Sequence, residues 1–495
     1  MLSAFVFMPF LITRFGAADY GIYLLVSSLS GYFGLLDLGV GASLVKYVAE
    51  HRARGERADL SETVSTALAF YGVIGVIAAT GLGALAMFGL PLFNLPDAST
   101  DLARNLLLVG AATSLFAWPL GTFNAVLAGH QRYDITARLG IIATITNIAV
   151  TAAVVLANQG PLVLLAGTSA VGLTVSVFSA RLAIRELGDA RVSLAGASWC
   201  RLKRIFRFSS AVFVMQLCGV LVYQQTDRLV LGVFASAASI TLYESASKLH
   251  SLVRQLAGLS ASAVMPTASA LDAEDRHDLI VELFMRGTKY TVIAITPIVV
   301  VVMVLAGPFL RAWLGDVGFT DAEFSIMTIG TQLYVSYWLL NANITIAGTI
   351  VSGMGKLRFV LWYTVIASVA NVVLSIVFVQ YLGVIGVILG TIAHGYIGFP
   401  IYMRQMSRLI GFSVGEWLRR VVLPTYPFLL APAAIAGLAL ALGLTNSLLS
   451  VGIVGAIAVA SYWALIYLFA LGDAERDEAR TAVNALRRKM GLSIS

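Results

Sequence analysis

Residues 239–266 form an apolar stretch that holds a dense set of polar side chains. Placed on a helical wheel at about 100° per residue, Glu244, Ser247, Lys248, Ser251, Arg254, Gln255, Gly258 and Ser262 fall in a stripe about 120° wide. Ionisable groups at membrane depth are costly and normally face a bundle interior. A hydrophilic face of this length needs water or a polar ligand opposite it, and its two cations favour an anionic one. A competing reading makes Glu244 and Lys248 an internal i, i+4 ion pair that only holds helices together. That reading leaves Arg254 and Gln255 without a role.

The stretch before it, 208–232, carries Gln216, Tyr223, Gln224, Asp227 and Arg228. Gln216, Tyr223 and Asp227 share one face of a helix. Asp227 suits a proton or sodium site, or serves as the partner of Arg228, Lys248 or Arg254. Asp37 lies among Gly31, Gly34, Gly39 and Gly41, small residues that permit close packing or a local break. It reads as a carboxylate bonded to a neighbouring helix end, with gating as the second reading. Gln332, Ser336 and Asn343 share a face in 323–349 and offer a second polar wall. Trp313, Trp417 and Tyr20 read as interface anchors. His250 and His394 stand alone, and no metal site is expected.

These side chains need a membrane bundle to position them. Only 12% of the chain is charged and 59% is hydrophobic, against about 25% charged in soluble domains. Apolar runs near 1–14, 20–45, 64–88, 105–128, 139–158, 161–180, 208–232, 239–266, 289–310, 323–349, 359–381, 383–403, 421–442 and 449–471 predict about fourteen transmembrane helices. As a helix, residues 1–13 would rise only about 20 Å against an apolar core of about 30 Å. Three readings compete: a true start upstream, a short helix sheltered by its neighbours, or a cleaved signal. The last is disfavoured because no positive residue precedes the apolar run. A truncated helix one with its start upstream is the expectation. If 46–62 is cytoplasmic, alternation places all but six of the 33 Lys and Arg on that side, the six being Arg14, Arg104, Arg228, Lys248, Arg254 and Arg311. This bias supports both the spans and their orientation. It also accounts for most of the +7 net charge without nucleic acid.

The segment 127–150 recurs at 351–374. At one offset Gly129 falls on Gly353, Arg132 on Lys356, Ala143 on Ala367 and Asn147 on Asn371; one residue of slippage later, Gly160 meets Gly383 and Gly167-Thr168 meets Gly390-Thr391. Duplicated halves are the plan of many secondary transporters. Asn147 and Asn371 read as symmetric glue between helices. The expected organisation is a six-helix bundle over 1–185, a basic cytoplasmic linker over 186–207, a second six-helix bundle over 208–405, two further helices over 406–471 and a cytoplasmic tail over 472–495.

Several chemistries have no motif here. The chain has no GxxxxGK[ST] phosphate loop, HExxH or CxxC pair. Gly353-Met354-Gly355-Lys356 imitates the first poorly. Cys200 and Cys218 make no disulfide framework. The acidic cluster Asp272, Glu274, Asp275 and Asp278 reads as a solvated helix end. No cofactor and no enzymatic activity are expected. Any driving force must be an ion gradient or the gradient of the cargo.

The chain resembles the Wzx-type polysaccharide and oligosaccharide flippases, in the superfamily that also holds multidrug extruders and lipid II flippases. Pro9-Phe10-Leu11-Ile12 leading to Asp19-Tyr20-Gly21-Ile22-Tyr23 carries the resemblance, as do Gly31 to Gly39 running to Val45-Lys46-Tyr47, Gln225-Thr226-Asp227-Arg228, and Gly129-His130-Gln131-Arg132-Tyr133. The resemblance implies two pseudo-symmetric six-helix bundles plus two C-terminal helices in a bacterial cytoplasmic membrane. Both termini are cytoplasmic if helix one is complete. It implies alternating access around a central cavity for an undecaprenyl-diphosphate-linked oligosaccharide. The phospholipid membrane and the polymerase and glycosyltransferases of the same pathway are the implied partners. Lys248 and Arg254 would neutralise the diphosphate, while Ser, Asn and Gln side chains would meet the sugars. A small-molecule or drug exporter of the same superfamily is the alternative. An outer-face polymerase or ligase and a scaffold protein fit the short outer loops and the polar stripe less well.

Overall fold

The computed structural model describes the chain except residues 1, 189, 191, 208, 210–212, 214–225, 263, 316, 478–479 and 482–495. Gln216, Cys218, Tyr223 and Gln224 lie outside the described residues, as do most of the expected span 208–232 and the end of the tail.

Every regular element among the described residues is helical. The first half runs α1 Leu2–Phe15, α2 Ala17–Tyr32, α3 Val40–Arg54, α4 Arg57–Ala84, α5 Thr100–Gly129, α6 Tyr133–Leu156 and α7 Pro161–Leu187. Then follow α8 Thr226–Phe234, α9 Ala237–Ser262, α10 Val264–Ala273, α11 His277–Leu314, α12 Asp321–Asn341, α13 Thr345–Gly353 and α14 Leu357–Ile410. The chain ends with α15 Val414–Trp417, α16 Leu430–Ala441 and α17 Leu448–Leu465. Among the described residues, eight helical stretches are long and apolar enough to cross a bilayer, and the bent pair α2–α3 makes nine. The expected count of fourteen treats α14 as two spans, and α14 does break at Gly383, where φ 54° and ψ −127° leave the helical region. Expected span 239–266 corresponds to α9, whose interior carries Glu244, Lys248 and Arg254.

Backbone corners recur at corresponding places in the two halves of the chain. Gly55 and Asp275 both take positive φ, 70° and 54°. Each corner closes with the same two bonds, Gly55 N to Arg52 O and Glu56 N to His51 O in one, Asp275 N to Asp272 O and Arg276 N to Leu271 O in the other. Gln131 and Gly355 repeat the motif at φ 59° and 71°, followed by Arg132 and Lys356 at nearly equal angles, −84°, 51° and −84°, 48°. Asn158 and Gly383 turn the next pair, at φ 57° and 54°. In both resulting hairpins a glycine permits close approach. A Cβ on Gly167 would lie 2.8 Å from Val150 Cγ1, and one on Gly390 would lie 2.5 Å from Ser375 N.

The chain divides into two compact units. The first comprises Met1–Ser245, Asp316–Phe319 and Thr364–Gly390. Its core joins Leu44 and Val48 of α3, Leu60 and Val64 of α4, Phe123 and Leu127 of α5, and Ala183 of α7. Inside this unit α2 crosses α9 so closely that a Cβ on Gly21 would lie 1.8 Å from Ala237 O. Thr241 Oγ1 donates to Ala17 O there at 2.6 Å. Gly21 meets Ala237 while Ala17 meets Thr241, so the two contacts exchange partners as they would about a local twofold axis. The second unit comprises Ala246–Gly315, Thr320–Tyr363 and Thr391–Ser495. Phe284 and Phe412 stack in its core with centroids 4.1 Å apart. Val301 and Leu305 of α11 pack there with Ala436 of α16 and Val451 and Ala458 of α17. Ile141, Ile142 and Ile145 of α6 are exposed, as a lipid-facing helix requires.

Candidate functional site

Three groups of side chains merit description. The first lies along α8 and α9. In the first unit Arg228 donates from Nη2 and Nε to Glu244 Oε2 at 2.6 and 3.1 Å. Its Nη1 donates to Ser28 Oγ at 3.0 Å. Glu244 is 5% exposed, a depth at which a carboxylate needs a cation beside it. Asp227 accepts from Tyr243 OH at 2.6 Å, and Thr226 Oγ1 bonds Tyr32 OH at 2.8 Å. Further along α9, in the second unit, Ser247 is buried, Lys248, Ser251 and Arg254 are half-buried, and Gln255 and Gly258 are exposed. The described stripe thus opens progressively along its length. Ser262 has no described side chain.

The remaining predicted wall residues serve their own unit. Gln332 Nε2 donates to Met303 O at 2.9 Å, joining α12 to α11. Asn343 is 2% exposed and donates to Leu339 O at 3.0 Å and Tyr426 OH at 2.7 Å. Ser336 Oγ bonds Tyr396 OH at 2.6 Å. His250 stacks on Tyr334 at 4.0 Å and bonds its carbonyl at 3.0 Å. Asn371 is buried; the buried Oδ1 of Asn147 has no partner among the described residues.

The second group surrounds Asp37. Helices α2 and α3 bend by 44° across a break at which Leu38 and Gly39 take φ 51° and 74°. Asp37 Oδ1 accepts from the Gly41 backbone N at 3.2 Å, in the first turn of α3, and from Tyr71 OH of α4. The positive end of the α3 dipole favours a carboxylate there. Beside it opens a cavity of about 380 Å³, lined by Asp37, Tyr71, Thr113, Ser114, Ala117 and Trp118 among others. Trp118 stacks on Tyr71 with centroids 5.8 Å apart. The sequence pointed to Asp37 alone, since the residues around it lie on helices distant in the chain.

The third group also escaped the sequence reading. Arg201, 10% exposed at its side chain, bonds Asp59 and donates to Glu62 Oε2 at 2.5 Å. Burial works against its charge, but the hydrogen bonds to Glu62 and Asp59 outweigh this and raise its pKa above the usual arginine value. Ser198 N to Thr66 Oγ1 at 3.0 Å and Ser193 N to Ser65 Oγ at 3.1 Å stitch the same linker to α4. In the second unit Arg420 Nη2 donates to Glu282 Oε2 at 2.7 Å. Glu282 occupies the place in α11 that Glu62 occupies in α4. His51, Glu56 and Asp59 bring ligand atoms within 4.8 Å of one another. Arg201 already bonds Asp59 and sets Nη1 3.5 Å from His51 Nε2, so a resident guanidinium supplies the positive charge that a metal would bring.

A helical membrane chain with a helix broken at a carboxylate and a polar face on a neighbouring helix has the build of a flippase-like, multi-pass membrane transporter. The chain belongs to the polysaccharide biosynthesis protein family, which its residues 1–272 match. The "Uncharacterized membrane protein EpsK" of Bacillus subtilis (strain 168) is 22% identical over 430 residues, covering 84% of this chain and 82% of that protein. The "Probable low-salt glycan biosynthesis flippase Agl15" of Haloferax volcanii is 20% identical over 291 residues, 58% of each. The solved lipid II flippase MurJ, in an inward closed conformation, has a similar fold: TM-score 0.71, 16% identity, 94% of this chain and 96% of that one. An inward-facing multidrug resistance MATE transporter aligns with TM-score 0.64 and 17% identity, over 83% and 96%. The resemblance to Wzx-type flippases is thereby borne out, together with the all-helical transporter fold.

Proposed function

We propose that the protein moves a lipid-linked oligosaccharide from the cytoplasmic to the outer leaflet by alternating access, for cell-surface polysaccharide synthesis. The observation that carries this reading is the face of α9, on which Lys248, Ser251, Arg254 and Gln255 emerge from burial on one otherwise apolar helix. A diphosphate is held best by cations and hydrogen-bond donors acting together. Lys248 contributes a compact charge and Arg254 a planar fork. Ser251 and Gln255 hydrogen-bond the proximal sugar, and the polyprenyl chain stays in lipid. Arg228 is charge-balanced by Glu244 within the first unit, while Ser247, Gln332 and Asn343 contribute polar groups within the second. Asp227 and Asp37 are the carboxylates assigned to gating or ion coupling. Asn147 and Asn371 hold equivalent helices in the two halves. The membrane is bacterial and cytoplasmic, and the polymerase and glycosyltransferases of the pathway are the working partners. Membership of a polysaccharide biosynthesis family supports the cargo class, as does the name of the haloarchaeal relative.

The second reading is an ion-coupled small-molecule or drug exporter, supported by the fold shared with a multidrug transporter. One experiment separates them. Purified protein in liposomes is offered a fluorescent undecaprenyl-diphosphate oligosaccharide, and separately a panel of organic cations. Transfer of the first without uptake of the second supports the flippase. The reverse pattern replaces it with the exporter.

A further inference from the structure

The segment that Arg201 ties to α4 has a second face. Residues 199–207 are helical, and one side of that helix is fastened to the first unit. Arg201 bonds Asp59 and Glu62. Ile205 is fully buried and packs with Val40 of α3 and Tyr71 of α4. Phe206 meets Phe70 edge-on with centroids 5.4 Å apart, and Tyr47 OH donates to Arg204 O at 3.4 Å. At about 100° per residue from Trp199, the packed residues Arg201, Ile205, Leu202 and Phe206 lie between about 200° and 340°. Trp199, Lys203, Arg207, Cys200 and Arg204 lie between about 0° and 140°, and all five are exposed. This outer face carries three cations and an indole. Trp199 is 69% exposed, and Lys203 Nζ sits 5.8 Å from its ring centroid. The sequence has no Asp or Glu from 190 to 226, so no neighbour along the chain balances the three charges.

We propose that this face binds the headgroups of anionic phospholipids, with Lys203, Arg204 and Arg207 on the phosphates and Trp199 seated beside them. Charge and position together choose this partner. The helix leads directly into the predicted span 208–232, on the side that the charge bias makes cytoplasmic. Its outer face therefore meets the boundary of the bilayer, where an indole is at home and basic side chains meet anionic headgroups. Arg201 is spent on α4, and by holding the helix in place it presents the other three cations together. The inference does not rest on the identity of the cargo, and its failure leaves flipping untouched.

The test titrates the purified full chain, in a neutral detergent, with phosphatidylglycerol and in parallel with phosphatidylcholine. Native mass spectrometry reads the lipid retained. Each cation beside an anionic surface contributes about fivefold in affinity, so Lys203→Gln with Arg204→Gln and Arg207→Gln should weaken phosphatidylglycerol retention by about a hundredfold. Retention of phosphatidylcholine should not change. The control removes three other exposed cations, on α6 and α7, as Arg138→Gln with Arg181→Gln and Arg185→Gln; it should change little. Loss in the first triple and not in the second, with both proteins melting cooperatively, supports the face. Equal loss in the two triples, full retention in the first, or no preference of the wild type for phosphatidylglycerol overturns it. Tighter retention of undecaprenyl diphosphate than of phosphatidylglycerol, lost in the first triple, also overturns it and makes the face a cargo site.

Discussion

Replacing Gly21 by alanine tests the helix crossing most sharply. In an open helical position this change stabilises by up to about 1 kcal/mol, because glycine is the poorer helix former. At Gly21 the new Cβ would lie 1.8 Å from Ala237 O and 2.7 Å from Ala237 C, both backbone atoms that cannot rotate away. Clearing even 3.0 Å from the oxygen requires α2 and α9 to part by about 1.2 Å, the difference between the two separations. A parting of that size stretches the 2.6 Å bond from Thr241 Oγ1 to Ala17 O past hydrogen-bonding range. Overpacking costs about 1–3 kcal/mol and the lost bond about 1 kcal/mol. After the propensity gain the net loss is about 1–3 kcal/mol. Gly72→Ala in α4 is the control, since its Cβ meets nothing within 4 Å; it is expected to be neutral or stabilising. Denaturant unfolding of both variants in the same detergent reads the difference. Equal stabilities, or a Gly21→Ala protein more stable than the control, would refute the close crossing.

Other expectations follow from the same geometry. A double-mutant cycle of Arg201→Ala and Glu62→Ala should give a coupling near 1 kcal/mol, because Arg201 is largely buried. The Arg420–Glu282 cycle should give about half that, its partners being 40% and 34% exposed; a larger coupling in the second pair would contradict the comparison. Gly383→Ala forces a side chain into φ 54°, ψ −127° and should cost about 1–3 kcal/mol by denaturant unfolding, whereas unchanged stability would mean that α14 has no such corner.

What the sequence disclosed follows from what each signal depends on. Hydropathy and charge bias are local sums, so the membrane class and most spans were readable from the chain alone. The repeat was readable around Gly129 and Gly353 because both sites need a small residue. A Cβ on Gly129 would lie 2.6 Å from Val48 Cγ1, and one on Gly353 would lie 2.8 Å from Met265 O. It was not readable at Gly55 and Asp275, which share a backbone corner but no side-chain chemistry. The glycines around Asp37 suggested close packing or a break, and the chain breaks at Leu38 and Gly39. The helical wheel places Glu244 near Lys248, but the wheel sees one helix at a time. The bond from Arg228, sixteen residues earlier, depends on how α8 turns into α9. Tyr71, Trp118 and Arg201 were invisible as partners for the same reason, since each meets its partner across the fold.

The central claim is that the cationic face of α9 holds the diphosphate of the cargo. The most direct test is the rate of oligosaccharide flipping in liposomes by the wild type, by Lys248→Gln with Arg254→Gln, and by the charge-keeping pair Lys248→Arg with Arg254→Lys. The account predicts a loss of about tenfold or more for the neutral pair and a smaller loss for the charge-keeping pair, with all three proteins equally folded. Wild-type rates in the neutral pair would contradict it.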